Sequence, residues 1–230
     1  MLIVSIETSG REGSLALCRG HSSSYEVLEM TPLTGRMYSA ELVPKLDQML
    51  QKHSLTVKDL EGVAVVSGPG SFTGLRVGLA TAKALGEALN IPIATVSMLE
   101  ALASTVNSAE PVVTALDAQR GEVYVGEYHE LEGGVCQSCE SLQSVDHFLT
   151  WVKAKDPAPN VHTPDDSLIQ KLRAEFAPAT FLPRADAGVI GRCGFKKLRA
   201  GESVTPAEVD ANYIRKSDAE IFSAPKLGLL

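Results

Sequence analysis

Residues 67–78 read Ser-Gly-Pro-Gly-Ser-Phe-Thr-Gly-Leu-Arg-Val-Gly, which gathers small, hydroxyl-bearing and conformationally permissive residues into one short stretch. The apolar run Val63-Ala64-Val65-Val66 precedes it, and a helical pattern from Leu75 to Leu89 follows it. A glycine turn between a buried strand and a helix aims backbone N–H groups out of the helix N-terminus, where an anion or a close protein neighbour fits. Gly68 and Gly70 are free to take backbone angles denied to other residues, Pro69 stiffens the turn, and Ser71 or Thr73 can cap the helix. The nucleotide-binding phosphate loop ends in Gly-Lys-Ser/Thr, whereas Thr73-Gly74-Leu75 stands here, and no Gly-x-Gly-x-x-Gly opens the helix. From residue chemistry alone, a ligand-binding turn and a plainly capped helix start are equal readings.

Other candidate groups are sparse. Glu7 ends the first apolar run beside Thr8, Ser9 and Gly10. Asp117 opens Asp-Ala-Gln-Arg-Gly, where Asp117 and Arg120 read as a structural turn pair. Cys136 and Cys139 form a lone Cys-x-x-Cys, with His129 and His147 the nearest further zinc ligands, and chance thiols near a hairpin are the better reading. The five histidines fall in no metal spacing. No nucleophile–base–orienter set is visible, which sets a peptidase aside; Ser67, Ser71 and Thr73 are better explained as turn and cap residues. Neither cofactor nor metal is expected.

The elements that must position these residues follow from hydrophobic periodicity. Residues 2–7 and 13–18 are apolar runs joined by Thr8-Ser9-Gly10-Arg11-Glu12, a hairpin signature, and Tyr25 to Met30 extends the sheet. Ser39 to His53 reads as an amphipathic helix with Leu42, Val43, Leu46, Met49 and Leu50 on one side, and with Pro44 either kinking it or marking its start. After the glycine motif Ile91-Pro92-Ile93-Ala94 leads into a short strand, Ser97 caps a helix through about Val106, and a strand at 112–116, a turn at 117–121 and an alternating strand at 122–128 follow. Gly133-Gly134 closes a further hairpin. Helices near 145–154, 165–176 and 186–199 alternate with weak strands near 159–162 and 179–182. Asn212-Tyr213-Ile214-Arg215 reads as extended, and 219–230 as a flexible tail. This is an α/β chain with mixed sheets, its second half repeating the first in eroded form, with lobes expected at 1–106 and 107–218.

The helix after the glycine motif carries Gly74, Gly78, Ala82 and Gly86 at four-residue intervals, so one face is nearly bare. Each glycine costs about 1 kcal/mol of helix propensity relative to alanine, and close packing against the stripe offsets such a cost. The chain's own sheet or a neighbouring helix is the plainer occupant; a partner chain, flanked by Leu75, Arg76, Leu79 and Lys83, is the functional one. On the functional reading, Gly78→Leu blocks assembly and leaves the fold intact.

Composition narrows the classes further. The chain has 230 residues, 44% hydrophobic and 21% charged, ordinary values for a globular protein. A net charge of −7 argues against unaided binding to nucleic acid. A cytoplasmic location is expected, because no run approaches a membrane span and Met1-Leu2-Ile3-Val4-Ser5-Ile6-Glu7 lacks the basic start of a signal peptide. Lys196, Lys197, Arg199 and Arg192 give a basic helix end, read first as complementing the helix dipole and second as a minor nucleic-acid contact.

Taken in order, strand–Glu7-Thr8-Ser9–strand, the motif at 67–78, and Leu116-Asp117-Ala118-Gln119-Arg120-Gly121-Glu122-Val123-Tyr124 resemble the bacterial TsaB family, also called YeaZ, over residues 1–128. Tyr213-Ile214-Arg215 is similar to that family's C-terminal Tyr-Leu-Arg. The resemblance implies the two-lobe actin/hexokinase-like (ASKHA) fold, built on two ribonuclease-H-like halves. It implies a role in making threonylcarbamoyladenosine beside the anticodon of tRNA, as a non-catalytic scaffold for the transferase TsaD, with the ATPase TsaE completing the complex and tRNA touched only indirectly. The family's N-terminal helices, about 39–53 and 73–89 here, form a four-helix bundle with TsaD or a homodimer. Leu42, Leu46, Met49, Gly74, Leu75, Arg76, Gly78, Leu79, Ala82 and Lys83 are the interface residues so implied, and Ser67, Gly68, Pro69, Gly70, Ser71, Phe72 and Thr73 the family-motif loop.

Two departures fit inactivity. TsaD holds its metal through a His-x-x-x-His pair, but Met37-Tyr38-Ser39-Ala40-Glu41-Leu42 has no histidine, and Tyr38 stands where many TsaB chains keep one. Glu7 replaces the usual aspartate of the first hairpin, so Glu7, Thr8 and Ser9 form a degenerate phosphate hairpin. An active actin-fold phosphotransferase needs two carboxylates, for which Glu7 and Asp117 are candidates, and a glycine-rich adenosine loop. The second half offers only Gly188, Gly191 and Gly194 in helical spacing.

Overall fold

The computed structural model describes residues 1–212 except 22, 23, 36, 132 and 133; for 130, 131 and 134–138 it describes the backbone alone. The readings made for Gly133, for Tyr213-Ile214-Arg215 and for 219–230 lie outside the described residues.

Among the described residues ten strands form two five-stranded sheets. In the first, β1 (Leu2–Glu7), β2 (Gly13–Gly20) and β3 (Tyr25–Leu33) run antiparallel, and β4 (Gly62–Gly68) and β5 (Ile93–Ser97) add in parallel, giving the order β3-β2-β1-β4-β5. In the second, β6 (Val112–Gln119), β7 (Glu122–Leu131) and β8 (Gly134–Ser144) run antiparallel, and β9 (Val161–Thr163) and β10 (Ala179–Phe181) add in parallel, giving β8-β7-β6-β9-β10. The two windings are the same, so the eroded repeat expected in the second half is a repeat of topology. β1, β2 and β4 bury on both faces, as strands covered by helices on each side must.

The helices are α1 (Tyr38–Lys52), α2 (Phe72–Leu89), α3 (Met98–Ala103), α4 (Val145–Ala154), α5 (Asp166–Ala174) and α6 (Ala187–Ala200). α1 and α2 lie on one face of the first sheet, and α6 covers the other. Side-chain alternation along β1 makes this visible. Ile6 and Thr8 point at Gly78 of α2, while Ser5, one residue out of phase with them, points at Gly191 of α6. α3 sits between the sheets, touching β4 and β5 on one side and β6, β7 and β8 on the other. Leu168, Ile169 and Leu172 of α5 join Phe148 and Val152 of α4 in a smaller core over the second sheet.

Several boundaries differ from the sequence reading. α2 begins at Phe72 rather than Leu75, because Ser71 is its N-cap and accepts from the Gly74 N–H at 3.4 Å. α3 ends at Ala103, short of Val106. Pro44 does not mark the start of α1; it lies inside the helix, on its exposed side. The segment 117–121 is a turn only at its end, since β6 runs to Gln119.

Candidate functional site

The turn after β1, the N-terminus of α2, the turn between β6 and β7, and the segment ahead of α6 converge on a cleft of about 1060 Å³. Its lining includes Ser9, Gly10, Arg11, Tyr38, Ser71, Thr73, Asp117, Gln119, Tyr124 and Arg184.

The glycine motif owes its composition to the turn at Thr8 and Ser9. A Cβ added to Gly70 would stand 2.5 Å from the Ser9 carbonyl oxygen, and one added to Gly74 would overlap the Thr8 carbonyl. Ser71 N–H donates to Ser9 O at 2.7 Å. The close neighbour that the motif admits is thus the chain's own first turn, and at least the N–H groups of Ser71 and Gly74 are taken by protein acceptors. Gly68 alone among the motif's glycines needs its conformational freedom, at φ +127°, where the Asn212 carbonyl lies 3.3 Å from its would-be Cβ.

Glu7 does not face the cleft. It is 2% exposed, and its carboxylate accepts from the Ser9 N–H at 2.8 Å and from the Ser9 hydroxyl. Burial pushes its carboxyl above the ordinary value, against the opposing pull of Arg184 and the Ser9 hydrogen bonds. Tyr38, at the position noted for its missing histidine, donates to Gly10 O at 3.0 Å, and burial beside Glu7 pushes its phenol up to about 12.

Arg184 is the site residue that sequence reasoning missed. Its Nη2 donates to Ser9 Oγ at 2.8 Å and lies 3.3 Å from Pro69 O and 3.4 Å from Ser9 O. It therefore ties the segment after the second sheet to the turns at Ser9 and Pro69 of the first. The only local signal is its place two residues before Asp186, the N-cap of α6, whose carboxylate accepts from Val189 N–H at 3.0 Å. Asp117 is also differently employed. Its carboxylate accepts from Gln119 N–H at 2.8 Å and Gln119 Nε2 at 3.1 Å, where the sequence suggested a pair with Arg120. Its own N–H donates at 2.7 Å to Asp165, whose carboxyl burial pushes above the ordinary range. Gln119 and Arg120 both take left-handed φ, 63° and 56°, to make this turn.

The implied interface residues separate into two groups. Leu42, Leu46, Met49, Leu75, Leu79 and Ala82 are buried in the chain's own core, and Gly74, Gly78 and Gly86 pack on Thr8, Ile6 and Ile93. The bare stripe therefore faces the chain's own sheet, as the plainer reading of the residues had it, and not the partner that the family resemblance implied. Its glycines let α2 settle onto β1 and β5 without Cβ clashes. Arg76 and Lys83 are exposed, on the outer face of α2 with Ala80, Ala84 and Glu87, beside the exposed Ala40, Val43, Pro44 and Asp47 of α1. The Arg76 guanidinium lies 3.8 Å over the Phe72 ring.

The basic end of α6 is largely committed inside the molecule. Lys197 Nζ pairs with Glu100 at 2.7 Å, Arg192 donates to Ser104 O, and Arg199 lies over Phe195. Among the described residues no cluster of three or more His, Cys, Asp or Glu is placed to hold a metal ion, and no helix is long and apolar enough to cross a membrane. Cys139 is exposed on β8; the Cys136 side chain lies outside the description.

Residues 32–177 match the family "TsaD: tRNA N6-adenosine threonylcarbamoyltransferase". The chain is 29% identical over 212 residues to the tRNA threonylcarbamoyladenosine biosynthesis protein TsaB of Bacillus subtilis, covering 91% of this chain and 85% of that one. It is 32% identical over 138 residues to the Escherichia coli protein of the same name, covering 59% of this chain and 58% of that one. Several curated relatives are thus matched over little more than half their length. In fold it is similar to YeaZ from Pseudomonas aeruginosa, with TM-score 0.73 at 20% identity over 92% of this chain and 100% of that one. The like-wound sheets agree with that fold and with the two-lobe actin/hexokinase-like arrangement. The TsaD family match takes in more than half of this chain, and its full-length likeness is to proteins named TsaB, so the chain belongs to the TsaB, or YeaZ, family.

Proposed function

We infer that this chain is a non-catalytic scaffold in the synthesis of threonylcarbamoyladenosine in tRNA, supporting a TsaD partner in the cytoplasm. The observation that carries the non-catalytic part is the state of Glu7. The hairpin carboxylate that a phosphotransferase would aim at a metal–phosphate group is buried and bonded to its own Ser9. With Asp117 bonded to Gln119, neither candidate carboxylate is left as a free base. The partner surface is the outer face of α1 and α2, where Arg76 and Lys83 remain from the residues first implied. TsaD occupies it in the complex, TsaE joins as a third component, tRNA is met only indirectly, and a second copy of the chain uses the same face in isolation. The proposed lobes, 1–106 and 107–218, follow the two sheets, with α6 crossing back to the first and 219–230 as a tail.

The test is co-purification of the full chain with TsaD from the same organism, with complex size and tRNA threonylcarbamoylation read together and ATP turnover measured on the chain alone. Dependence of the modification on this chain, without ATP turnover, supports the scaffold reading. A chain that neither binds TsaD nor affects the modification ends it, and turnover by the chain alone favours an actin-fold phosphotransferase.

A further inference from the structure

Building on the reading of the α1–α2 outer face as the partner surface, we propose that this face selects its partner by charge. Arg76 and Lys83 receive two carboxylates from an acidic helix of a different protein, which crosses α2 over Ala80. The two cations are seven residues apart, two helical turns, so they stand on one face about 10 Å apart along the axis. Ala80 lies exposed between them and offers only a methyl group, which lets another helix approach closely.

Both cations are unspent. Lys45, Lys52, Lys153 and Lys197 each hold a carboxylate at 2.7–2.9 Å, whereas among the described residues neither Arg76 nor Lys83 makes an ion pair. Glu87, one turn beyond Lys83, is exposed and does not pair with it. Arg76 is instead held over the Phe72 ring, which fixes the guanidinium while leaving its N–H fork open to an incoming acid. It stands near the positive end of α2, where a cation is disfavoured, and no acidic residue occupies the first turn to compensate. A carboxylate arriving there meets the guanidinium and the helix terminus together.

The arrangement makes a second copy, which takes this face in isolation, the weaker occupant of the two. Two α2 helices crossing antiparallel at Ala80 would set Arg76 of one against Lys83 of the other, like charge against like. A partner of opposite charge removes that conflict.

The experiment measures binding of the full chain to TsaD from the same organism by calorimetry at low and high salt, with self-association followed by sedimentation. Arg76→Glu and Lys83→Glu are each expected to weaken TsaD binding about tenfold and to flatten its salt dependence. Arg76→Lys keeps part of the affinity, and thermal unfolding of the chain is unchanged by all three. Ala80→Trp probes the face by bulk alone. If Ala80→Trp blocks binding while the reversals leave affinity and salt dependence unchanged, the charge proposal is overturned and the face stands. If none of the four variants alters binding, the face itself is not the partner surface and both readings fall. Reversals that weaken only self-association assign the patch to a second copy and overturn the proposed partner.

Discussion

Gly78 of α2 lies directly over Thr8: a Cβ built on the glycine would overlap the Thr8 hydroxyl and stand 3.4 Å from Ile6 Cγ2. A leucine there has no free volume to enter. Gly78→Leu is therefore expected to lower stability by about 3 kcal/mol or more, outweighing any gain in helix propensity. That corresponds to a fall in Tm of about 6–12 °C for a chain of this size. Thermal unfolding followed by circular dichroism checks it. An unchanged Tm with lost partner binding would restore the partner-facing reading of the stripe.

Arg184 joins segments that the chain itself holds 175 residues apart, through its bond to Ser9 Oγ at 2.8 Å. Arg184→Ala is expected to cost about 2 kcal/mol, because the Ser9 and Pro69 acceptors lose a charged donor. Amide hydrogen exchange is expected to quicken at residues 8–11 and 69–71 while the centre of β4 stays protected. Unaltered exchange at both turns would show that the clamp does not hold them.

The buried carboxyl of Glu7 makes stability depend on pH. Its folded-state pKa lies above the ordinary 4.5, chiefly through burial, so the folded chain binds this proton more tightly than the unfolded chain does. The linked stability is fully present below about pH 4.5 and is lost as pH rises through the folded value. Gln at this position still accepts from the Ser9 N–H and hydroxyl but carries no charge. The stability of the wild-type chain relative to Glu7→Gln is thus expected to fall as pH rises from 4.5, measured by urea unfolding at a series of pH values. A difference that is flat or that grows with pH contradicts the burial of a charged carboxylate.

Lys197 and Glu100 link α6 to α3 at 2.7 Å, and burial pushes the Glu100 carboxyl above its ordinary value even with the lysine present. Lys197→Met strands that acid and is expected to cost about 3 kcal/mol, of which Glu100→Gln in the same chain recovers most. Chemical denaturation of the two single variants and the double variant gives the coupling; additive losses would mean that the pair is solvated.

The first half was legible because its signals are local. Alternation and unbroken apolar runs placed β1, β2 and β4, and Ser71, one of the two cap residues the sequence offered, is the N-cap of α2. The four-residue glycine period correctly announced a close approach but could not name the residues that approach, since Ile6 and Thr8 lie about seventy residues before Gly78 in sequence. β8 was legible only as the far side of a hairpin closed at Gly133-Gly134, without its extent, because Gln, Ser, Cys and Glu on an edge strand leave no apolar alternation to read. Arg184 escaped for a related reason. A lone arginine in a loop has no pattern, and its meaning lies wholly in Ser9 and Pro69. The interface assignment failed where amphipathicity is ambiguous: Leu42, Leu46 and Met49 form an apolar face whichever neighbour covers it, and here that neighbour is the chain's own core.

α6 gives the chain a delayed closure during its own synthesis. Ile190, Phe195 and Leu198 complete the core over β1, β4 and β5, yet they leave the ribosome about a hundred residues after β5 does. At ordinary translation rates this interval is roughly 5–20 s, far longer than hydrophobic collapse takes. Throughout it the nascent sheet presents an uncovered apolar face, the kind of surface that chaperones bind. A fragment ending before residue 187 would keep that face open permanently, so the first sheet, although made from the first hundred residues, matures only when the last helix arrives.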